Sequence, residues 1–233
     1  MVLGVSANKD VFITVAKLRA ARAIWARMAE LASVDAPAKI EAWSSRRMLA
    51  RRDPWTNLLR LTAAGFGAGV GGADAVIVEP FTQPLGLASD LARRQARNSQ
   101  LVLMEEAGLG RVADPAGGSW LFESLSDELA RAGWAEFQKI EAEGGVIEAL
   151  RAGRFQADVA RARDARLAAI AEKRAPILGV TAFPPAHDDP VALDTADHSR
   201  FARTVDLRQS GDDSRCEPLT PIRWSAAFEE AGQ

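Results

Sequence analysis

The sequence predicts an α/β fold with parallel strands, because short runs of small and β-branched residues alternate with amphipathic helical segments. The clearest example is the stretch of residues 51–119, in which a helix, a strand, a loop and a second helix follow one another. About three or four strands can be identified, which is too few to close an eight-stranded barrel of about 250 residues. An incomplete parallel sheet leaves unpaired edges and uncovered apolar faces, so we expect a partner or a missing segment to complete it.

The first third of the chain is predicted to contain two short strands and a long helix between them. Residues 1–9 are expected to hold the end of a strand and a loop, and residues 10–31 a helix with one apolar face. A connection over residues 33–38 leads to a short strand, KIEAWS, at residues 39–44. The predicted inward face of the long helix consists of Val11, Val15, Leu18, Trp25, Met28 and Leu31, with Lys17, Arg19, Arg22 and Arg27 outside it.

The next helix is predicted to begin at Asp53-Pro54, since an aspartate N-cap accepts a free backbone N–H and proline at the first helical position loses none. Gly71-Gly72 is expected to end it. Residues 73–79, ADAVIVE, are predicted to form a strand buried on both faces. The predicted inward side of the helix carries Leu58, Leu59, Thr62, Phe66 and Val70.

Helices dominate the following hundred residues. A loop at 80–88 precedes a helix at 89–107, for which Gly108 is the expected C-cap and Leu91, Val102 and Leu103 point inward. A very short strand is predicted at residues 112–114. Ser124 or Ser126 is then expected to cap a helix that ends at Gly144-Gly145. Helices at 146–152 and 156–173 and a strand-like run at 177–181 complete this part.

Beyond Phe183 the composition changes. Residues 184–221 are rich in Asp, Ser, Thr, Arg and Pro and show no sustained apolar period, which is typical of a linker. The last apolar group, Ile222, Trp224 and Phe228, is expected to begin a helix or to dock onto a neighbour.

Charge and composition argue against several classes of function. With 29 basic and 31 acidic residues the net charge is −2, which favours neither nucleic acid nor an anionic membrane as a partner. No apolar run approaches the ~20 residues of a membrane span, and the first five residues do not resemble a signal peptide. A single cysteine is consistent with a reducing compartment. We therefore expect a soluble, cytoplasmic protein.

The residues suited to acid–base or metal chemistry are few. The only histidines, His187 and His198, lie in the predicted linker with Cys216, and there is no tyrosine. We therefore expect no catalytic residue and no metal ligand in the folded part. Glu105 and Glu106 are adjacent on a helix, point in different directions and are interpreted as solvent or salt-bridge residues.

Two basic or glycine-rich stretches leave alternatives open. The run GAGVGG at residues 67–72 satisfies G-x-G-x-x-G, but it closes a helix and precedes a strand, whereas a dinucleotide fingerprint does the reverse. Close helix packing and a helix stop explain it better. The cluster Arg46, Arg47, Arg51 and Arg52 is either an anion-binding loop or a solvated, ion-paired one.

Several separate motifs in a fixed order carry a resemblance to a known family. They are AKLRAARAIWA at 16–26, RRDPWTNLLR at 51–60, GGADAVIV at 71–78, ARNSQLVLMEEAGLGRVADPAGGS at 96–119 and EAEGG at 141–145. Over about residues 11–180 the chain resembles the adenosylcobalamin-dependent methylmalonyl-CoA mutase family. The RRDPW form resembles the small, or beta, subunit of the heterodimeric bacterial enzyme, and PLTPIRWSAAFEE at 218–230 resembles the segment that leads into the family's cobalamin-binding domain.

The resemblance implies a partial (βα)8 TIM-type substrate barrel. Residues 1–183 would be its C-terminal half, and residues 184–233 a linker towards an absent cobalamin-binding domain. The family's Asp-x-His-x-x-Gly motif, which supplies the lower axial histidine, does not occur in this sequence. The family's active-site Tyr-His pair belongs to an earlier part of the barrel.

Two departures from the family pattern affect the site. Catalytic chains have Thr-His-Cys-Gln-Thr-Ser before the aspartate-proline helix, where this chain has Ile-Glu-Ala-Trp-Ser-Ser at residues 40–45. Catalytic chains also carry a Thr-Asn-x-x-Asp-Glu segment that contacts the adenosyl group. Here Glu79 stands at the Asn position and Gln83 at the Glu position. The architectural motifs are therefore retained, while the binding motifs are altered.

The resemblance accordingly implies a small-subunit-like component of methylmalonyl-CoA mutase, which interconverts methylmalonyl-CoA and succinyl-CoA. The chain itself would be structural and non-catalytic, with a catalytic large subunit as its partner. Adenosylcobalamin would belong to the complex, and none would be bound by this chain alone. The alternatives are a catalytic fragment of a related cobalamin-dependent acyl-CoA mutase and, on the glycine run alone, an independent nucleotide-binding module.

Overall fold

The computed structural model describes residues 1–195 and 216–229 of the chain. It contains one sheet of three parallel strands in the order β1-β2-β3, which confirms the predicted α/β class. The strands are β1 (Val2–Ala7), β2 (Lys39–Ser44) and β3 (Ala75–Ile77). The helices are α1 (Val11–Leu31), α2 (Thr56–Val70), α3 (Asp90–Leu101), α4 (Trp120–Ala142), α5 (Gly145–Arg151), α6 (Arg154–Ala171) and α7 (Ala226–Glu229).

The two faces of the sheet differ in what covers them. On one face Ile40 and Ala42 of β2 are fully buried against α1 and α2, where they join the main hydrophobic core. The residues between them point the other way, because side chains alternate along a strand. This second surface, called here the open face, is formed by Val2, Gly4, Ser6, Lys39, Glu41, Trp43, Ala75 and Ile77. Trp43 remains 45% exposed there.

Helix α1 covers the sheet much as the sequence predicts. The Asp10 carboxylate caps it by accepting a hydrogen bond from the Ile13 N–H, and Val15 and Leu18 are fully buried. One expectation was wrong. Leu31, predicted inward, is 60% exposed. Arg19, predicted outside the apolar face, binds the carboxylates of Asp114 and Glu123 through its guanidinium.

Helix α2 begins later than predicted and buries another face. Asp53 has φ +48° and accepts a hydrogen bond from the Thr56 hydroxyl, so it lies in the turn before the helix instead of capping its N–H groups. Leu59 is 68% exposed, and Phe66 also reaches solvent. The inward residues are Asn57, Arg60, Leu61, Ala64, Gly65, Gly67 and Ala68.

Small residues explain the different face of α2. A Cβ atom at Gly67 would lie 3.3 Å from Thr14 side-chain atoms, and one at Gly71 would lie 2.8 Å from Leu18 Cδ1. The glycines therefore allow α2 to approach α1 more closely than larger side chains would. A pattern that counts large apolar residues selects the wrong side of such a helix.

Strand β3 is shorter and more exposed than the predicted buried strand. It pairs only with β2 among the described residues, and Ala75 is exposed. The turn before it is held by Asp74, whose carboxylate accepts from the Ile40 N–H at 2.7 Å and from Arg22 at 2.6 Å. The hydrogen bond from Ile40 and the Arg22 charge lower the pKa of Asp74.

The predicted single helix at residues 89–107 consists of two parts. Ser89 caps α3 by accepting from the Ala92 N–H, and after Leu101 the chain continues as a π-helical turn, Val102–Glu106, to Gly108 at φ +65°. The inward residue is Ala92. Leu91 and Val102 were expected inside, but they are 38% and 45% exposed.

Residues 112–114 and 177–181 are not strands. The first group leads into a turn in which Asp114 binds Arg19, and the second is a turn that buries Ile177 and Val180. Helix α4 begins at Trp120 after Ser119, so Ser124 and Ser126 lie inside it and do not cap it. The helix packs along α1, where Gly133 faces Ile24.

The described residues beyond Phe183 contact the rest of the chain. The Asp53 N–H donates to the Asp188 carboxylate, and the Asp194 N–H donates to the Leu87 carbonyl. Residues 216–229 return to the body of the molecule, where Trp224 and Phe228 pack on a second apolar cluster. Trp224 and Phe228 of the final apolar group therefore pack onto their own chain, and Phe228 lies in the short helix α7. His198 lies outside the described residues.

Among the helices of the part of the chain that the structure describes, none combines the length and apolarity needed to cross a membrane.

Candidate ligand-binding site at the carboxyl end of the sheet

A cavity of about 970 Å³ lies where the strands end. The carboxyl ends of parallel strands are the usual place for ligands in α/β folds. Here the walls come from the ends of β1 and β2, from Glu79 two residues after β3, from helix α6 and from residues 217–224. The charged and aromatic side chains on the walls include Trp43, Arg46, Arg47, Glu79, Arg166 and Trp224.

Backbone hydrogen bonds bring the three strand ends together. The Ser45 N–H donates to the Ala7 carbonyl at 2.7 Å, and the Glu79 N–H donates to Ser44 Oγ at 2.9 Å. A short 3₁₀ turn, Arg46–Met48, follows β2. It places Met48 in the core and leaves Arg46 and Arg47 exposed on the cavity wall.

Glu79 lies in this cavity and is bound to Arg46. Its Oε1 accepts from Arg46 Nε at 2.9 Å and from Nη2 at 2.7 Å, and its side chain is only 12% exposed. Gln83 is half-buried in the turn that follows β3, where its N–H donates to the Pro80 carbonyl. It does not line the cavity. The structure therefore does not bring the two altered positions together in one binding surface.

These residues do not fit the adenosyl contact that the family resemblance implies. A carboxylate accepts hydrogen bonds but donates none, so Glu79 cannot replace an asparagine N–H group. Its accepting oxygen is already bound by a guanidinium. Of the two histidines, His187 is exposed on the segment after Phe183. Within residues 1–195 and 216–229, no group of three or more His, Cys, Asp or Glu side chains is arranged to hold a metal ion.

The arginines at positions 46, 47, 51 and 52 were expected to form either an anion-binding loop or a solvated, ion-paired one, and their contacts differ from one arginine to the next. Arg46 is ion-paired, Arg51 donates to the Pro84 carbonyl and Arg52 to the Pro185 carbonyl. Arg47 instead stacks on Trp224, with its guanidinium carbon 5.3 Å from the ring centroid. Three of these arginines are thus bound to carboxylate or carbonyl groups, and of the two on the cavity wall, Arg46 and Arg47, only Arg46 is ion-paired among the described residues.

Other elements add cationic groups that sequence reasoning missed. The Arg166 guanidinium of α6 lies 4.8 Å from the Trp224 ring centroid. Lys17 of α1 donates to the Ser6 carbonyl at the end of β1, and both burial and Arg47 lower the pKa of its ammonium. Their only signal in the sequence was a basic residue on a helix, which is usually a solvated one. The tertiary fold alone places them together.

Two other motifs have no part in this cavity. The glycine run of residues 67–72 lies at the end of α2 against α1, as predicted from its position before a strand. Glu105 and Glu106 are exposed on the π-helical turn, in agreement with their interpretation as solvent residues.

The comparisons with known proteins agree with the sequence resemblance. The family model for methylmalonyl-CoA mutase matches residues 1–223. The chain is 49% identical over 193 residues to the methylmalonyl-CoA mutase small subunit of Streptomyces virginiae, a match that covers 82% of this chain and 31% of the relative. It is 43% identical over 184 residues to the small subunit of Propionibacterium freudenreichii subsp. shermanii, covering 77% of this chain and 29% of the relative.

A large subunit is more distant. The methylmalonyl-CoA mutase large subunit of Streptomyces virginiae is 31% identical over 235 residues, which cover 95% of this chain and 32% of the relative. The chain thus spans about a third of the length of these curated relatives. Since the family model covers nearly the whole sequence and the small subunits match at higher identity, the chain belongs to the methylmalonyl-CoA mutase family and resembles its small subunits.

Proposed function

We propose that this chain is a small-subunit component of an adenosylcobalamin-dependent mutase that interconverts methylmalonyl-CoA and succinyl-CoA, and that it contributes scaffold instead of catalytic side chains. The higher identity to small subunits than to a large subunit supports the first part. The proposal includes a cytoplasmic location, which the single cysteine supports.

The observation that carries the non-catalytic role is the ion pair between Arg46 and Glu79 at the carboxyl end of the sheet. Radical chemistry requires a cofactor whose reactive carbon is held against the substrate by positioned groups. When adenosylcobalamin is bound in the complex, it supplies that chemistry. In this chain, a neutralised carboxylate occupies the position where catalytic chains of the family have an asparagine.

The open face supports a structural partnership. We place residues 1–183 in the C-terminal half of a (βα)8 barrel and residues 184–233 in a linker towards a cobalamin-binding domain. A three-stranded parallel sheet with a half-exposed tryptophan on an uncovered face gains stability when another surface covers it. The proposed partner is the catalytic large subunit, with the remainder of the barrel completing the sheet.

The first prediction concerns turnover. Supplied with adenosylcobalamin and methylmalonyl-CoA but no partner chain, this protein is expected to form no succinyl-CoA, because it lacks the groups that position cofactor and substrate. Product is measured by mass spectrometry. The positive control is the same preparation after addition of the large subunit.

A matched variant separates the scaffold role from a hidden catalytic one. In the assembled complex, Glu79→Gln is expected to leave kcat within about twofold, since the carboxylate contributes only an ion pair. Turnover by the chain alone, or a loss of kcat in this variant of tenfold or more, would contradict the non-catalytic assignment and favour the catalytic-fragment alternative.

The second prediction concerns the open face. Purified alone, the chain is expected to aggregate, to oligomerise or to remain partly unfolded, because one face of its sheet is uncovered. In the presence of the large subunit, Trp43→Asp is expected to weaken association by at least about tenfold, or ~1.4 kcal/mol. Association is measured by analytical ultracentrifugation.

Trp120→Asp is the control for that experiment, because Trp120 is 91% exposed at the start of α4 and lies outside the sheet. Its effect on association is expected to stay within about twofold. A chain that folds cooperatively as a stable monomer, or equal effects of the two substitutions, would exclude the half-barrel proposal.

A further inference from the structure

We propose that the cavity at the carboxyl end of the sheet binds a phosphate-bearing small molecule, with the guanidinium groups of Arg47 and Arg166 as the phosphate ligands. This inference is independent of the scaffold role, because a non-catalytic subunit can hold a ligand of its own. It rests on three observations, namely the charge of the cavity wall, the arrangement of two arginines around Trp224 and a buried donor without a partner.

The wall of the cavity is more basic than the protein as a whole. The chain carries a net charge of −2, yet the residues that line this cavity include four arginines and two glutamates, and so carry a net charge of +2. One glutamate, Glu79, is bound to Arg46, so that pair is balanced. Arg47 and Arg166 have no carboxylate within ion-pair distance among the described residues. Arg163 is paired with Asp164, which does not line the cavity. The lining charges without an ion-pair partner among the described residues are therefore Arg47, Arg166 and Glu217, a net of +1.

The Trp224 ring holds these two guanidinium groups near each other. Their carbons lie 5.3 and 4.8 Å from the ring centroid, so the two positive charges are no more than about 10 Å apart. Like charges at this distance repel each other across a partly buried cavity. An anion in contact with both groups would remove that repulsion, and guanidinium groups match the paired oxygens of phosphate.

Nearby lysines extend the same positive field. Burial and Arg47 lower the pKa of Lys17, while burial, Arg166 and Arg60 lower the pKa of Lys9. The positive charge of Arg47 therefore reaches Lys17, and that of Arg166 reaches Lys9. Field lines that converge in a cleft of this kind raise the local concentration of anions.

Arg166 also has an unused donor. Its Nε is buried and has no hydrogen-bond partner among the described residues. Buried donors are nearly always paired, so an unpaired one indicates a missing acceptor. A phosphate oxygen would supply that acceptor. The volume of about 970 Å³ exceeds what a lone phosphate ion requires and lies in the range of small-molecule sites.

The test is a calorimetric titration of the chain, purified with the partner with which it assembles, at constant ionic strength. The probes are inorganic phosphate, ribose 5-phosphate and ribose. Both phosphates are expected to bind with Kd below about 1 mM, and ribose is expected not to bind. Tighter binding of ribose 5-phosphate than of phosphate would identify an organic phosphate as the ligand, whereas equal affinities would mean that the phosphate group alone is recognised.

Substitutions assign the binding to the cavity. Arg47→Gln is expected to weaken ribose 5-phosphate binding at least tenfold, and Arg47→Lys to weaken it less, because the charge remains without the planar fork. Arg97→Gln is the control, since Arg97 is exposed on α3, does not line the cavity and, among the described residues, its guanidinium donates hydrogen bonds only to Asn98. No binding by any phosphate up to about 10 mM, or equal losses in Arg47→Gln and Arg97→Gln, would overturn the proposal.

A measurement on the unaltered protein guards against variants that fail to fold. Phenylglyoxal modifies exposed arginines, and the extent at each site is read by peptide mass analysis. Saturating ribose 5-phosphate is expected to slow modification of Arg47 about threefold or more and to leave Arg97 unchanged. Unchanged modification of Arg47 would refute the assignment.

Discussion

Replacing Gly179 with alanine is expected to lower the free energy of unfolding by about 3 kcal/mol. Gly179 has φ +76°, a conformation that costs an L-residue about 1 kcal/mol or more. A Cβ atom there would also lie 2.5 Å from the Cβ atom of Asp53, which is far inside van der Waals contact. Strain and overlap therefore act on the same residue.

Gly153→Ala separates the two effects. Gly153 has nearly the same backbone angle, φ +74°, but no atom lies within 4 Å of its would-be Cβ. We expect about 1 kcal/mol of destabilisation from this control. Both variants are compared with the unaltered chain by urea unfolding in the same assembly. If they prove equally destabilised, the contact between Gly179 and Asp53 does not restrict the fold.

The expected loss of stability is large because two segments of the chain pack against each other at Gly179. Asp53 precedes α2, and Gly179 belongs to the turn that follows α6. In the same region Arg60 of α2 donates to the Leu178 carbonyl at 2.6 Å. Burial lowers the pKa of the Arg60 guanidinium, while the Asp53 charge raises it. Displacement of the turn would therefore also disturb a buried cation.

The second large effect is expected at Asn57, a fully buried polar residue of α2. Its Oδ1 accepts from the Ala50 N–H at 3.0 Å, and its Nδ2 donates to the Ala50 carbonyl at 2.8 Å and to the Phe81 carbonyl at 3.0 Å. Arg60 Nη1 also donates a hydrogen bond to Asn57 Oδ1. Asn57→Ala leaves these groups without partners and is expected to cost about 4 kcal/mol.

The expectation is checked by urea unfolding of Asn57→Ala, Asn57→Asp and Asn98→Ala. Aspartate retains the acceptor but sets a carboxylate oxygen against the Ala50 and Phe81 carbonyl oxygens at a fully buried site, so its cost is expected to be at least as large as that of alanine. Asn98 is half-buried, and among the described residues its side chain accepts only 3.4 Å hydrogen bonds from Arg97, so its replacement is expected to change the free energy of unfolding by no more than about 0.5 kcal/mol. A cost below about 1 kcal/mol for Asn57→Ala would show that these hydrogen bonds do not hold the loops together.

Local signals in the sequence were sufficient for the type and order of the main elements. The strand at residues 39–44 has the predicted limits, and α1 begins at its aspartate cap. Ser89 caps α3, and Gly108 adopts the positive φ that ends the following π-helical turn. Each of these features depends on residues within one or two turns of each other, so the sequence pattern contains the information needed.

Features that depend on distant contacts were predicted less well. The inward face of α2 was wrong because glycine and alanine, not leucine and phenylalanine, contact α1. The strand expected at residues 177–181 is a turn because its carbonyl and N–H groups bond within the turn and to Arg60. At the candidate site, Glu79 was identified from the sequence, but its ion pair with Arg46 was not.

The sequence by itself determined the α/β class and the membership of the methylmalonyl-CoA mutase family, because composition, short-range periodicity and ordered motifs carry that information. The assignment of Glu79 and Gln83 to the family's adenosyl-contact positions rests on the resemblance and stays a prediction. Only the tertiary structure decided which charges are paired and which are without a partner among the described residues. Arg46 and Glu79 are 33 residues apart in the chain, and Trp224, near the end of the predicted linker, lies against Arg47 and Arg166. Such pairings depend on how distant segments pack, and a linear pattern does not record that packing.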